Sequence, residues 1–474
     1  MRVAVIGAGI AGLSAAFQLE QRRHAGTPLE YSVFEASRHA GGVIRTELVR
    51  LKDDQGFVVE AGPDSFLSEK PWAATLCRYL GLADDLVPSN DYQRKTFILV
   101  KGRPVEIPDG LMFMVPTKLW PMATTRLFSL GAKIMAASEL WTKPREGDRD
   151  ESVAQFVERH FGREMVDRMA DPLLAGVYGG SADKLSVRAV LPRFVEMERK
   201  TGSLARAMME ARKKMPANSS AALFTTLRGG MQQMTDALAA RLAPGALRLN
   251  TPAWSLRRAG SAEDARWSVV TDAGDQHFDA VILAVPAYQA ADLLGAAAGA
   301  LADELRGVNY NSSITIALGY DAAALDAGTR ARIEGFGFLV PKAEGKKMLA
   351  CTFVQNKFHG RAPEGKLLFR CFIGGEAAGE NMQLSDDELV AAIRGELQQV
   401  LGAGMAAEPL FTRVFRWRQA MAQYEVGHLE RVARIEALAA QLPGLALAGN
   451  AYHGIGVPDC VREGQQAAER VLAR

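Results

Sequence analysis

The sequence predicts an α/β fold in which a Rossmann-type dinucleotide-binding domain carries an inserted antiparallel sheet and a helical domain, and three observations predict it. A β-branched run, Val3-Ala-Val-Ile6, opens onto Gly7, Gly9 and Gly12 in G-x-G-x-x-G spacing. Two more apolar runs, Phe278 to Pro286 and Leu445 to Ala448, come much later and read as buried strands of the same sheet. Between them, residues 310 to 375 alternate in the manner of antiparallel strands.

Each glycine of the opening motif has its own task. Gly7 allows the tight turn, Gly9 lets backbone approach a pyrophosphate with no Cβ in the way, and Gly12 lets the helix pack closely on its strand. That helix, continued by Leu13 to Leu19, turns free N–H groups and a partial positive charge toward the phosphates. Tyr31 to Glu35 reads as a second strand ending in an acid 23 residues past Gly12, where a ribose hydroxyl is held. The motif alone leaves NAD and FAD open, and outside this context it would be an ordinary glycine-rich turn. Directly behind the acid, Arg38-His-Ala-Gly41-Gly42 adds a second glycine pair. A flavin extends past the pyrophosphate into the protein, so this second close backbone approach favours FAD. Phe57 to Glu60 then reads as a strand and Ala61 to Ser65 as a sharp turn.

From Trp72 the text is helical, and between Lys95 and Ile107 it becomes strand-like with a hairpin at Lys101-Gly102. Residues 111 to 142 are rich in Met, Leu and aromatics, with Lys118, Arg126 and Lys133 interspersed, and Pro116 and Pro121 break any single long helix. Such a stretch suits core packing, the lining of a ligand pocket or docking on a bilayer surface. Asp148 to Leu191 reads as helical with a loop at Ala175 to Gly180, and Lys213 to Ser220 as a polar linker. Leu227-Arg-Gly-Gly-Met231 leads into a helix over Gln232 to Leu242, and Trp267 to Val270 reads as a strand. The buried strand at Phe278 marks the return to the nucleotide domain. Strands are expected at Ser313 to Tyr320, Gly337 to Pro341, Met348 to Val354 and Lys366 to Ile373. The resulting division is residues 1–88, 222–290 and 438–474 for the FAD-binding domain, 89–110, 186–221 and 291–437 for the substrate domain, and 111–185 for the helical, membrane-contacting candidate.

The 474 residues are 48% apolar with 45 glycines and no low-complexity tract, a composition that argues against disorder. Fifty-six basic against 54 acidic residues leave a net charge of +2, which points to no nucleic-acid partner. Cys77, Cys351, Cys371 and Cys460 form no C-x-x-C pair and are expected to be reduced, packed thiols. The first apolar run is short and merges into the glycine motif, so no secretory leader is expected and the cytoplasm is the expected compartment. No run reaches transmembrane length. Peripheral membrane attachment and a homodimer both stay open.

The chain closes with Leu445-Ala-Leu-Ala-Gly-Asn-Ala-Tyr-His-Gly-Ile-Gly-Val-Pro-Asp-Cys460, a strand, a glycine loop and a helix start in which Pro458 suits the first turn and Asp459 the positive end. A helix N-terminus at the isoalloxazine favours the reduced, anionic flavin, so Ile455, Gly456 and Val457 are expected to line it; the alternative is an ordinary αβ loop. No general base stands out. His24, His39, His160, His277, His359, His428 and His453 occur singly and read mostly as loop or surface residues, with His453 the only one beside the proposed flavin loop. No H-E-x-x-H, G-x-S-x-G or D-x-D-x-D pattern occurs, so hydrolase and metal chemistry are not expected, and the cofactor is expected to carry the reaction.

The N-terminal motif, Glu60-Ala-Gly-Pro-Asp-Ser-Phe66, Asp171-Pro-Leu-Leu-Ala-Gly-Val-Tyr178 and the closing Ala448 to Cys460 together resemble the protoporphyrinogen/coproporphyrinogen oxidase family over nearly the full chain. The resemblance implies FAD-dependent oxidation of a porphyrinogen to the porphyrin by molecular oxygen in haem synthesis, with six electrons leaving the substrate and hydrogen peroxide as by-product. It places FAD contacts on Gly7, Ala8, Gly9, Ile10, Ala11 and Gly12, on Glu35, Ala36, Gly42 and Val43, and on Gly62, Pro63, Asp64 and Ser65. Further contacts fall on Ala253, Trp417, Ile455, Gly456 and Val457. Substrate contacts fall on the carbonyl of Gly176 and on apolar walls at Phe338, Leu339 and Phe358. Some members carry an arginine that pairs with a propionate where this chain has Thr96, beside Arg94 and Lys95. Ala422 replaces a usual proline in Trp417-Arg-Gln-Ala-Met-Ala-Gln-Tyr424, and Ala253 a common valine. Two other readings compete. An amine oxidase of the same fold needs an aromatic cage and a lysine beside the flavin, and a non-catalytic binding protein would have no need of the intact glycines and closing loop.

Overall fold

The computed structural model describes residues 1–52, 56–145, 147, 149–214, 222–259, 266–375 and 377–473. Five parallel strands form the first sheet, in the order Leu247–Arg248, Glu30–Phe34, Arg2–Ile6, Ala280–Leu283, Leu445–Leu447. The N-terminal strand is therefore central, covered on both faces, and its apolar run has no polar alternation for that reason. On one face lie helix Ile10–His24 and the closing helix Val457–Leu472, with Leu13, Leu19, Val461 and Ala467 in a shared core. The two helices touch through backbone: a Cβ built on Gly464 would stand 2.1 Å from the Ala11 carbonyl oxygen. The other face is closed by helix Ala287–Leu294 and by Trp267, which is fully buried.

The second sheet has seven strands in the order Phe411–Ala422, Tyr310–Asp321, Lys366–Ile373, Ala350–Phe353, Gly337–Leu339, Thr96–Val100, Arg103–Glu106. All pairs are antiparallel except Gly337–Leu339 with Thr96–Val100, which runs parallel with Thr96 opposite Gly337 and Ile98 opposite Leu339. Side chains alternate across it. Phe338, Phe353, Phe369, Cys371 and Ile316 meet Leu389, Ile393 and Leu397 of helix Asp386–Leu401 on one face. Leu339, Arg370 and Phe372 belong to the other face.

The apolar region departs from expectation in its detail. It opens on a two-stranded hairpin, Leu111–Met112 with Val115–Pro116, before helices Leu119–Thr124 and Leu130–Ser138. The loop expected at Ala175 to Gly180 is a correction: helix Asp171–Tyr178 runs through Ala175 and Gly176 and stops at Gly179, which takes the left-handed conformation at φ 60°. Its predecessor is a short π-helical stretch, Val166–Ala170, and Val166, Met169 and Leu174 are buried along this continuous helical path. The linker expected at Lys213 to Ser220 begins as the end of helix Leu204–Lys214, and the rest lies outside the described residues.

The histidines need a second correction, because His160 and His428 are buried. His160 bridges two carboxylates, with Nδ1 3.1 Å from Glu139 and Nε2 3.2 Å from Glu198. Glu139 in turn accepts from the Ser203 hydroxyl at 2.8 Å and from the Leu204 and Ala205 N–H groups, so one buried acid caps helix Leu204–Lys214. Burial disfavours charge on His160, but its hydrogen bonds to Glu139 and Glu198 outweigh it and raise the pKa. A raised histidine pKa stabilises the fold fully below the unfolded value of 6.5, and that stability fades as pH rises through the folded value. Thermal melts from about pH 6 upward should therefore fall more steeply for the wild type than for His160→Gln; parallel profiles would show that the bridge contributes no pH dependence. Gly464→Val, placing branched carbons against the Ala11 carbonyl, should destabilise the protein by about 1–3 kcal/mol in denaturant titration.

Candidate cofactor groove and substrate face

Gly7 sits at φ 97°, and a Cβ on it would meet the Ala284 carbonyl oxygen at 2.6 Å, so the turn lies directly on the end of the neighbouring strand. A Cβ on Gly12 would stand 1.9 Å from the Gly7 carbonyl oxygen. Gly9 is different. A Cβ there meets nothing within 4 Å, which means that it would project into an open groove. Gly9 also starts helix Ile10–His24 with no side-chain cap and no acid in the first turn, so Ile10, Ala11 and Gly12 present an uncapped N-terminus suited to an anion.

The acid at the end of the second strand is folded onto this loop. Glu35 Oε2 accepts from the Ala8 N–H at 2.7 Å and Oε1 from the Ser37 N–H at 2.8 Å, while Ala36 between them is exposed. Each oxygen keeps a lone pair for a hydroxyl. The Thr251 N–H donates to the Glu35 carbonyl at 2.8 Å, which carries Ala253, at the start of strand Ala253–Ala259, toward the same end of the sheet. Gly41 donates to the Ala8 carbonyl at 2.8 Å, and a Cβ on Gly42 would lie 3.2 Å from the Gly9 Cα. Next along, a Cβ on Gly62 would stand 1.9 Å from the Val43 carbonyl oxygen. The first motif, Gly42, Val43 and the turn containing Gly62, Pro63, Asp64 and Ser65 thus form one continuous backbone wall. Trp417 joins it from the second sheet by donating its Nε1–H to the Ala61 carbonyl at 2.8 Å.

The closing loop is held from behind. Tyr424 donates its hydroxyl to the Asn450 carbonyl and accepts the Gly454 N–H at 2.8 Å, and its ring stacks on His428 at 3.9 Å. Burial lowers the His428 pKa to about 4, so it is neutral at pH 7. Gly456 precedes helix Val457–Leu472 without a side-chain cap, and Ile455 packs on the core beside it. Asp459 turns back beneath Gly454 and pairs with Lys70 at 2.6 Å. His453, singled out in the sequence, is instead half-exposed and bound to Glu436 at 2.8 Å.

On the second sheet, Gly176 and Leu339 come together: a Cβ on Gly176 would touch Leu339 Cδ2 at 3.8 Å. Gly176 lies in the last turn of its helix, where no helical N–H follows to take its carbonyl. Thr96, half-buried, lies in register with Gly337 on the same face as Leu339, while Lys95 pairs with Glu334 at 3.3 Å. Phe338 and Phe358 are not brought to this place. Phe338 alternates to the helix-covered face and meets Phe353, since neighbours in a strand point opposite ways. Phe358 is fully buried under Lys357 and Arg361. The side chain sharing the Leu339 face is Phe372, through the register Leu339–Ala350–Phe372. Alternation within Lys366 to Ile373 was the signal that could have found it.

Sequence reasoning gave no hint of the charges behind the wall. Asp64 is paired with Lys357 at 3.2 Å and with Arg370 at 3.2 Å. Burial alone would raise its pKa, but those two cations hold it well below the usual carboxylate range. The partners lie about 300 residues away along the chain, and no spacing rule links them.

An uncapped helix N-terminus over a glycine loop, an acid fixed on that loop and a backbone wall continuing past it define a dinucleotide-cofactor oxidoreductase. The chain belongs to the flavin containing amine oxidoreductase family, whose profile matches residues 10–472, and its cofactor is FAD. It is similar, at 33% identity over 99% of this chain and 97% of the relative, to the coproporphyrinogen III oxidase of Bacillus subtilis (strain 168). The chloroplastic protoporphyrinogen oxidase of Nicotiana tabacum is 29% identical over 98% of this chain and 84% of its own length. A crystal structure from Exiguobacterium sp. 255-15 that carries the name protoporphyrinogen oxidase superposes with a TM-score of 0.86 at 30% identity, covering 100% of this chain and 99% of that one. The α/β flavoprotein architecture expected from the sequence is thereby established.

Because the Gly9 position opens onto the groove, Gly9→Val should fold with wild-type circular dichroism yet purify without flavin absorbance. A folded, fully yellow variant would refute the groove assignment.

Proposed function

We propose that this protein oxidises a porphyrinogen to the porphyrin, passing six electrons in pairs to molecular oxygen and releasing hydrogen peroxide, as a step of haem synthesis. The observation that carries this reading is the full-length match to porphyrinogen oxidases, including an identity of 33% to a coproporphyrinogen III oxidase. FAD, when bound, supplies the two-electron acceptor. Gly7 to Gly12 would hold its pyrophosphate, Glu35 its ribose, and residues 62–65 with Ile455, Gly456 and Val457 its ring. The chain's own part is to bind and orient. Leu339 and Phe372 offer flat apolar contact, and the Gly176 carbonyl accepts from pyrrole N–H groups. The three-domain division follows from this, with the parallel sheet holding the cofactor and the antiparallel sheet the substrate.

The coproporphyrinogen III oxidases of Bacillus subtilis, Propionibacterium freudenreichii and Staphylococcus aureus match at 33%, 33% and 30%, against 29% and 30% for the protoporphyrinogen oxidases of Nicotiana tabacum, and the two higher values support coproporphyrinogen III as substrate. Aerobic turnover followed by porphyrin fluorescence should give at least about tenfold higher kcat/KM for coproporphyrinogen III than for protoporphyrinogen IX, about 1.4 kcal/mol of discrimination. The reverse order would overturn the preference, and no turnover of either would overturn the function.

The finer expectation of membrane contact is supported by the apolar surface of the helical region. Trp120, Leu130, Ile134 and Trp141 are exposed, and Phe113, at φ 55° in the hairpin turn, is more than half exposed with its ring edge-on to Phe194 at 6.4 Å. A lipid surface would take up these exposed apolar side chains. No helix among the described residues is long and apolar enough to cross a membrane. Co-sedimentation with anionic liposomes should be lost in Trp120→Ser/Leu130→Ser; an unbound wild type eluting as a dimer would assign the surface to a second copy instead.

A further inference from the structure

The wall at residues 62–65 stands on a buried charge cluster with unequal signs. Lys357 Nζ lies 3.2 and 3.3 Å from the two Asp64 oxygens, Arg370 Nη1 lies 3.2 Å from Asp64, and Arg370 Nη2 donates to the Gly62 carbonyl. One layer below, Arg361 pairs with Glu60 at 3.2 Å and donates to the Leu227 carbonyl. The layers are tied by Thr226, whose hydroxyl donates to the Asp64 carbonyl at 2.7 Å while accepting from Arg361. Three cations thus face two carboxylates, and every one of these side chains is less than 15% exposed. Burial pushes the Glu60 carboxyl up and its partner Arg361 down, so that pair leans toward neutrality together and the excess of one positive charge stays with Asp64, Lys357 and Arg370. Arg370 Nε, buried, has no hydrogen-bond partner among the described residues.

An uncompensated buried charge costs several kcal/mol, and such sites persist where a charge of opposite sign is met. The wall in front of this one faces the cofactor groove. We infer that Asp64, Lys357 and Arg370 set the electrostatic potential at the flavin, their excess positive charge favouring the reduced, anionic form. Arg370 is the positioning residue, because it holds both the Asp64 carboxylate and the Gly62 carbonyl and so fixes the turn between the charge and the ring. Lys357 acts as the second charge, with its ammonium over the rings of Phe224 and Phe358 at 4.6 and 5.0 Å, which leaves its field little screened. This rests on the reading that residues 62–65 line the FAD.

Dye-coupled redox titration of the flavin-loaded protein tests it. Asp64→Asn, which keeps the side-chain shape and removes a negative charge, should shift the two-electron equilibrium about tenfold toward reduced flavin, about 30 mV upward. Lys357→Met should shift it about tenfold the other way, and Arg370→Lys, which keeps the charge, should stay within about threefold of wild type. Potentials that do not move, or that move in one direction for both Asp64→Asn and Lys357→Met, overturn the inference while leaving the flavin site standing. Variants that all lose flavin from a wild type that retains it would show a purely structural cluster and equally overturn it. A colourless wild type would bring down the underlying reading as well.

Discussion

The arrangement depends on backbone meeting backbone at distances no Cβ allows. Gly12 lies on Gly7, Gly42 on Gly9, Gly62 on Val43 and Gly464 on Ala11, each at a separation that a side chain would fill. The first closes the glycine loop on itself, the second joins that loop to the wall, the third joins two segments of the wall, and the fourth seats the closing helix against the first. Side-chain packing could not replace them, because methylene groups would hold the segments apart by the width of a side chain and the groove would lose its continuous backbone lining.

The second constraint is electrostatic. Bringing residues 62–65 to the groove leaves the Gly62 carbonyl and the Asp64 carboxylate buried, and both must be satisfied. Arg370 from the second sheet and Lys357 from the helical turn after strand Ala350–Phe353 do this, while Trp417 donates to the Ala61 carbonyl. The sheets are therefore joined by polar contacts at the turn that continues the glycine-lined wall. The same sheet supplies Leu339 and Phe372 on the face opposite its helix-covered core. One face of a single sheet thus carries both the Arg370 cation and this apolar surface.

Elsewhere, polar groups are organised for stability. Glu139 caps a helix from the interior with His160 hydrogen-bonded between it and Glu198, and Tyr424 with neutral His428 braces the closing loop. In both, a histidine that looks isolated in the chain has its chemistry set by what is folded around it. These two depart from the surface or loop placement expected of most of the histidines, which the other five keep, His453 among them facing Glu436.

The sequence by itself determined the parallel sheet, the cofactor class and the glycine positions, because those follow from local rules: apolar runs for buried strands, fixed glycine spacing for tight turns, and an acid at a strand end. It also carried the family motifs. Only tertiary structure decided which residues share a face with Leu339, since register across seven strands puts Phe372 there and turns Phe338 away. Tertiary structure also decided the pairing of Asp64 with Lys357 and Arg370, and the close approach of Gly464 to Ala11. The physical reason is the same in each case. Strand register, ion pairs and helix contacts join positions hundreds of residues apart, and the forces that select them act through space and leave no periodic trace along the chain.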